Sequence, residues 1–464
     1  MFPHPHLITL AGAALALTSI ALEAGDRLPE LRVADNHREL VTADGKPFLY
    51  LGDTAWELFH RLSREETEVY LKDRASKGFN VIQAVAIAEF SGLLEPNREG
   101  QLPLVDNDPA KPRDEYFKQV DFVVRHAGKL GMYTGLLPTW GDKVNKKWGE
   151  GPEIFTPENA RIYGEWIGRR YKNAPVIWII GGDRPIENER HRLIYRAMAE
   201  GIRAAVGNSQ LMTYHPMGGH SSSDYVHEEA WLDFNMMQSG HGARNASNWR
   251  MIARDLALTP PKPTMDGEPA YEDHPVRGDK TKTQWFDDWD VRKLCYWGLF
   301  AGACGHTYGT HSVWSMWDGR GKKLADQRTP WPEAIALPGS SQVGFACRLL
   351  GSRPMAGRIP DQSLLASDLG PGAEHCQAIR GADASWAMIY TASGKPFTVT
   401  LEKLAGKQLK PWWWDPRKGE AQACEVFENK REPQEFLPPE SGERLDWVLV
   451  LDDVSKNYPA PGKG

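Results

Sequence analysis

Between residues 47 and 350, short apolar runs alternate with longer amphipathic stretches. "PFLYLGDTAW", "FNVIQAVAI", "MYTGLLPTW" and "VIWIIGGD" are of strand length and end on turn residues. Between them lie "SREETEVYLKDRASKG", "DEYFKQVDFVVRHAGKLG" and "TPENARIYGEWIGRRYKN", with helical spacing. In the second of these Phe117, Val120, Val124 and Leu130 fall near one face, and the third opens on a Thr-Pro start signal. The alternation continues through strands in "QLMTYHP", "WLDFNMMQSGH", "KPTMDGEPAYE" and "GHTYGTHSVW". Helices are predicted in "ERHRLIYRAMAEGIRAAVG", "NWRMIARDLALTP" and "DVRKLCYWGLFAGA", with a last one over 340–350. Eight strands separated by helices over this length predict an α/β fold, the (β/α)8 TIM barrel. An open doubly wound sheet is the alternative. It calls for a Gly-rich phosphate turn after the first strand, where "YLGDTAW" stands instead.

From about residue 358 the helical spacing stops. "SWAMIYTAS", "PFTVTLE", "LKPWWWDP" and "LDWVLVLDD" are short alternating runs between Gly, Pro and Asp turns, which predicts a small all-β sandwich. At the other end, an apolar run over 7–22 stops near the small residue Ala24, as in a secretory signal. The run is short for a membrane span. The expected division is a signal peptide over 1–24, a barrel domain over 25–355 and a sandwich over 356–464. The expected location is exported, periplasmic or secreted, without stable membrane insertion.

Composition narrows the function classes. The chain has 464 residues, 41% apolar and 25% charged, with a net charge of -6. That balance leaves no basic footprint for nucleic acid. The 18 tryptophans raise the prior for a carbohydrate site, although they also fill cores. Five cysteines without a C-x-x-C argue against a disulfide framework and against a thiolate zinc site. The expected partner is a polysaccharide or oligosaccharide, and no cofactor is implied.

In a TIM barrel the active site lies at the C-terminal ends of the strands. The polar and aromatic residues at those ends are Asp53 and Trp56, Gln83, Trp140 and Asp142, Asp183, His215, Gln238 and His241, Asp266 and Glu268, then His306, Tyr308, His311 and Trp314. Glycoside hydrolysis needs two carboxyl groups across one bond, one to protonate the leaving oxygen and one to attack carbon or activate water. Asp183 after the fourth strand and Glu268 after the seventh fit that demand. Asp53, Trp56, Gln83, Trp140, His215, Gln238, His306, Tyr308, His311 and Trp314 are the candidate sugar contacts, with Asp53 a spare carboxylate. Plainer roles exist. Asp183 would cap the next helix, and Glu268 would pair with Arg184 or another arginine. A metal site from His215, His220, His241, His306, His311 and Asp266 is a rival, as is a non-catalytic binding protein. No G-x-S-x-G supports a nucleophilic serine.

Four motifs in order, "LGDTAWELFHRLSREETEVYLKDRASKGFNVIQ", "VIWIIGGDRP", "MDGEPAYE" and "WWWDPRKGE", resemble the apiosidase-like glycoside hydrolases, glycoside hydrolase family 140. The resemblance covers nearly all of the chain beyond the signal segment. It implies a (β/α)8 catalytic domain followed by a β-sandwich named for collagen binding. It also implies retaining hydrolysis of apiose linkages in pectic polysaccharide, notably the side chains of rhamnogalacturonan II. Asp183 in "GGDRP" falls on the family's acid/base and Glu268 in "DGEP" on its nucleophile. Barrel glycosidases commonly carry Asn-Glu at the fourth strand. Gly182-Asp183 is one methylene shorter, so a closer backbone, permitted by Gly181 and Gly182, would have to make up the reach. For residues 412–414, three consecutive tryptophans, packing is favoured over a sugar platform.

Overall fold

A computed structural model describes residues 27–281, 283–321, 323–366 and 370–463. The signal segment expected over 1–24 lies outside the described residues. No helix among the described residues is long and apolar enough to cross a membrane.

Eight parallel strands form the barrel: Tyr50–Thr54, Val81–Ile87, Tyr133–Thr139, Val176–Gly181, Met212–His215, Asn235–Gln238, Thr264–Asp266 and Gly305–Tyr308. They are called the first to eighth barrel strands below. Parallel ladders join the fifth strand through to the first, then the first to the eighth, seventh and sixth. At the remaining seam Asp233 N–H donates to Met212 O at 2.9 Å and Thr213 Oγ1 to Phe234 O at 2.7 Å. A two-residue segment, His220–Ser221, pairs antiparallel with the outer side of the sixth strand.

Alternation along the strands sorts two apolar layers. Tyr50, Val81, Val85, Ile177, Ile179 and Met265 fill the barrel interior. Leu51, Ile82, Ala84, Trp178 and Ile180 face the surrounding helices. This is the period-2 consequence of pleating, applied to strands buried on both faces. The helices form where the spacing predicts them. Arg64–Ser76 starts on a Ser63/Glu66 capping box and Pro157–Tyr171 on a Thr156/Asn159 one.

A three-stranded antiparallel sheet, Leu31–Val33, Leu40–Thr42 and Pro47–Phe48, precedes the barrel and falls outside the predicted alternation. Leu31 and Leu40 pack with Tyr50, Tyr133, Leu211 and Phe234, closing the N-terminal end of the barrel. Its strands are too short for a periodic signal.

The tail is all-β. A seven-stranded antiparallel sheet centres on Trp386–Thr391, Trp447–Asp453 and Gln408–Asp415, and Phe397–Thr400 pairs with Pro433–Phe436 across from it. The large sheet alternates strictly. Ala387, Ile389, Leu449, Leu451 and Trp413 face the two-stranded ribbon. Met388, Tyr390, Val448, Val450 and Trp414 face the barrel. Trp414 is fully buried, and its indole N–H donates to Tyr296 Oη at 2.8 Å; Tyr296 stacks on Tyr390 at 4.7 Å. Two bidentate pairs cross the same interface, Arg292 with Asp446 at 2.8 Å and Arg353 with Asp452 at 2.6 and 2.7 Å. Trp413 and Trp414 are therefore packing residues. The five cysteines are free.

Candidate active site

The fourth barrel strand ends in three consecutive residues of positive φ: Gly181 at 94°, Gly182 at 131° and Asp183 at 47°. The first two positions exclude a side chain on space as well as on torsion. A Cβ on Gly181 would lie 2.5 Å from His215 O, and one on Gly182 would lie 2.8 Å from Gly141 N and from the Trp140 ring. Gly182 N–H donates to His215 O at 3.0 Å, and Gly141 N–H donates to Gly182 O at 3.2 Å. The two glycines let the chain press against the third and fifth strand ends, which turns the carboxyl of Asp183 into the cleft. The helix that follows is capped by Asn188, which accepts from His191 N–H at 3.0 Å. Asp183 is therefore not its cap.

The cleft at the C-terminal mouth encloses about 180 Å³. Asp183 and Glu268 both line it, among Trp56, Phe90, Trp140, Trp148, Tyr271 and Trp314. Asp183 Oδ2 accepts from Trp148 Nε1 at 3.2 Å and from Arg184 Nη1 at 3.1 Å. Burial, then the negative charge of Glu268, pushes the Asp183 carboxyl up from its ordinary value; Arg184 opposes the shift without cancelling it.

Glu268 stands in the opposite environment. Its Oε1 accepts from Gln238 Nε2 at 3.0 Å and lies 3.0 Å from His241 Nε2. His215 Nε2 approaches Oε2 obliquely, also at 3.0 Å. Burial alone would raise this carboxyl, but the contacts from His215 and His241 reverse the direction and hold it well below its ordinary value. The His215 ring joins the two acids. Asp183 N–H donates to its Nδ1 at 3.3 Å, so Nδ1 is the unprotonated nitrogen. The ring proton then sits on Nε2, toward Glu268. Trp56 and Trp140 hold the imidazole, with ring centroids at 5.3 and 5.8 Å. Glu268 makes no pair with Arg184, which binds Asp183 and Glu89.

The other expected sugar contacts divide. Trp56, Trp140, His311 and Trp314 line the cleft. His215 and Gln238 reach Glu268 from beneath it. Gln83 points inward but lies a layer deeper, where it donates to Gly267 O at 3.1 Å and accepts from Tyr50 Oη at 3.0 Å. It braces the chain just before Glu268. Asp53, His306 and Tyr308 are misplaced by the sequence reading. All three point out of the barrel, toward the helices. Asp53 accepts from Tyr70 Oη and lies 3.6 Å from Arg74 Nε. Tyr308 donates to Glu272 at 2.5 Å. His306 abuts Gly298 of the helix Asp288–Phe300. Asp266 is likewise behind the wall, bound to Ser239 and Asn248.

That scatter also dissolves the metal cluster raised above. His220 pairs with Asp224 at the surface, His306 and Asp266 lie outside the barrel, and His215 and His241 are spent on Glu268. Among the described residues no group of three or more His, Cys, Asp or Glu side chains is arranged to hold a metal ion.

Several cleft residues have no sequence signal because they sit on loops: Glu89, Trp148, Tyr271, His274 and Arg277. Trp148 belongs to a loop pinned by a buried ion pair. Lys143 Nζ lies 2.8 Å from Asp142 Oδ2, and that oxygen accepts from Gly151 N–H at 2.8 Å. His274 stacks on His241 and meets His311 edge-on, with centroids 4.3 Å apart at each step. Burial lowers His311 to about 3, so it meets the cleft as a neutral ring.

The family model for the apiosidase-like catalytic domain matches residues 34–357. A second, described as "Putative collagen-binding domain of a collagenase", matches residues 359–452. No curated protein matches the chain. Among solved structures, a glycoside hydrolase family 5 protein from Bacteroides vulgatus is 30% identical, with 93% of this chain and 94% of that one covered at a TM-score of 0.85. Another, titled glycoside hydrolase, is 31% identical, with 94% and 99% covered at a TM-score of 0.86. The match over 34–357 spans well over half of the chain, and both relatives extend along nearly all of it. The chain belongs to the apiosidase-like family and is a glycoside hydrolase.

Proposed function

We propose that this glycosidase is exported and cleaves apiose linkages in pectic polysaccharide, notably rhamnogalacturonan II side chains, with retention at the anomeric carbon. Asp183 is the acid/base and Glu268 the nucleophile. One observation carries the assignment of roles: two carboxyls share one cleft, and their surroundings push them in opposite directions. Such a split suits an acid that keeps its proton and a nucleophile that stays ionised.

In this reading, Glu268 attacks the anomeric carbon while Asp183 gives its proton to the leaving oxygen. A glycosyl ester on Glu268 forms, and the bond to the leaving group breaks. Asp183, now ionised, takes a proton from water as that water attacks the ester and frees Glu268. His215, His241 and Gln238 aim Glu268 and stabilise its charge before attack and after release. Trp56, Trp140, Trp148 and Trp314 offer faces for a sugar ring and keep water out. The apiose specificity and the retention rest on family membership.

The test is release of apiose from rhamnogalacturonan II fragments by the wild-type protein and by Asp183→Asn and Glu268→Gln. Both variants should keep the wild-type circular dichroism and lose nearly all turnover. Near wild-type rates from either would remove that residue from its role. Release of a different pectic sugar would change the substrate and leave the carboxyl roles standing.

A further inference from the structure

Arg184 is fully buried in the cleft wall and touches two carboxyls. Its Nη1 donates to Asp183 O at 2.8 Å and to Asp183 Oδ2 at 3.1 Å, and its Nη2 pairs with Glu89 Oε1. The guanidinium lies 4.7 Å over the Trp148 ring, the same indole that donates to Asp183. Glu89 follows the second barrel strand by two residues, and its side chain, 15% exposed, reaches the cleft.

Beside this trio stand Lys143 and Asp142, which pair with each other. Lys143 Nζ donates to Glu89 O at 3.1 Å, but its charge is matched by Asp142 at 2.8 Å. Asp142 also adds negative potential at Glu89. From the helix Glu189–Val206, Tyr195 lies near Arg184 as a neutral phenol, since burial raises it. Facing Asp183 from the other side are Glu268 and His215. One guanidinium therefore serves two buried carboxyls. Ionising both would leave a net negative charge in a wall that already faces Glu268, which disfavours the doubly ionised state. Burial pushes Glu89 up to about 8 despite Arg184, with Asp142 and Asp183 adding to the rise.

We propose that Glu89 is a positioning residue for the acid: Glu89 and Asp183 divide one proton across Arg184. When Glu89 is ionised it takes the arginine's charge, and Asp183 keeps its proton to a higher pH than it would beside Arg184 alone. The inference rests on the reading of Asp183 as the acid and adds a second group that sets its titration.

Glu89→Gln keeps the shape and an acceptor for Arg184 but removes the charge. Arg184 then bears on Asp183 unopposed, and the basic limb of the kcat/KM profile should move down by about one pH unit. A merely structural Glu89 would lower the rate at every pH and leave the limb in place. A second readout needs no turnover. In protein labelled with 13C at the glutamate carboxyl carbons, the Glu89 signal is the one lost in Glu89→Gln. It should titrate near pH 8, and Asp183→Asn should lower its midpoint by about one unit. An unmoved limb or an unmoved midpoint overturns the proposal. If instead Asp183→Asn retained full turnover, the acid assignment itself would fail, whatever the Glu89 signal did.

Discussion

Asp183 donates its backbone N–H to Nδ1 of His215 across 3.3 Å, and the far nitrogen of that ring lies 3.0 Å from Glu268. A single imidazole thereby fixes the acid's backbone and the nucleophile's charge. Removing the ring should affect the nucleophile more than the fold. His215→Phe fills the space between Trp56 and Trp140 but offers Glu268 no donor. Glu268 then rises toward its ordinary value, and the acid limb of the pH profile moves to higher pH. A loss of about 10²-fold in kcat/KM at the optimum is expected, the scale of one lost donor to a reacting charge. An unshifted acid limb would mean His215 only packs.

The acid itself is tested by chemistry on the leaving group. Asp183→Asn should lower kcat/KM by about 10²- to 10⁴-fold for sugars with poor leaving groups. For an aryl glycoside whose phenol needs no proton, the loss should shrink sharply. Equal losses on both substrates would point away from proton donation.

Gly182 has no room for a methyl group. Gly182→Ala would press its Cβ against the Trp140 ring and Gly141 N at φ 131°, a torsion L residues avoid. The variant should lose about 1–3 kcal/mol of stability in urea titrations, the usual strain range, and most of its activity as Asp183 is displaced. Full activity would show that the reach of Asp183 does not depend on this turn.

Glu272 predicts a pH effect away from the cleft. It is buried, accepts from Tyr308 Oη at 2.5 Å and Gly339 N–H at 3.0 Å, and burial raises it to about 7. A carboxyl raised in the folded state contributes stability below its unfolded pKa, 4.5, and loses it as pH climbs to about 7. The loss from this group is up to about 3 kcal/mol, from 1.36 kcal/mol per unit. Glu272→Gln keeps an acceptor for Tyr308, so the fall in stability between pH 5 and 7 should flatten in urea titrations at stepped pH. An unchanged slope would show that Glu272 does not carry it.

The interface between barrel and tail predicts joint unfolding. Asp446 is fully buried and bidentate with Arg292. Asp446→Asn strips that arginine of its bidentate partner and leaves it only Asp288 at 2.9 Å, so it should cost about 3 kcal/mol, the low end for one broken buried pair. The wild type should melt in one calorimetric transition. Two well-separated transitions would mean the domains fold independently despite the contact.

Much of this site was legible because strands and helices announce themselves by period. The strand ends placed Asp183, which follows the apolar run 176–180, and Glu268, which follows the short seventh strand Thr264–Asp266. Side-chain direction was legible only in part. Tyr50 points inward, so alternation puts Asp53 outward, and the same parity places His306 and Tyr308 behind the wall. Reading strand ends without parity admitted all three as sugar contacts. Gln83 has the inward parity but sits a layer too deep, and depth depends on strand stagger, which no local pattern encodes. Glu89, Trp148 and Arg277 stand on loops whose paths are set by distant contacts such as Lys143 Nζ to Glu89 O at 3.1 Å, so no spacing in the chain points to them.

The two carboxyl roles are separated most directly with aryl apiosides and the small variants Glu268→Ala and Asp183→Ala in the presence of azide. Azide should restore both, with different products. Glu268→Ala should yield the glycosyl azide of inverted configuration, because azide enters the space of the missing nucleophile. Asp183→Ala should yield the azide of retained configuration, because the ester on Glu268 still forms first. The opposite pairing of variants and products, or rescue of neither by azide while the wild type cleaves the same apioside, would contradict these roles.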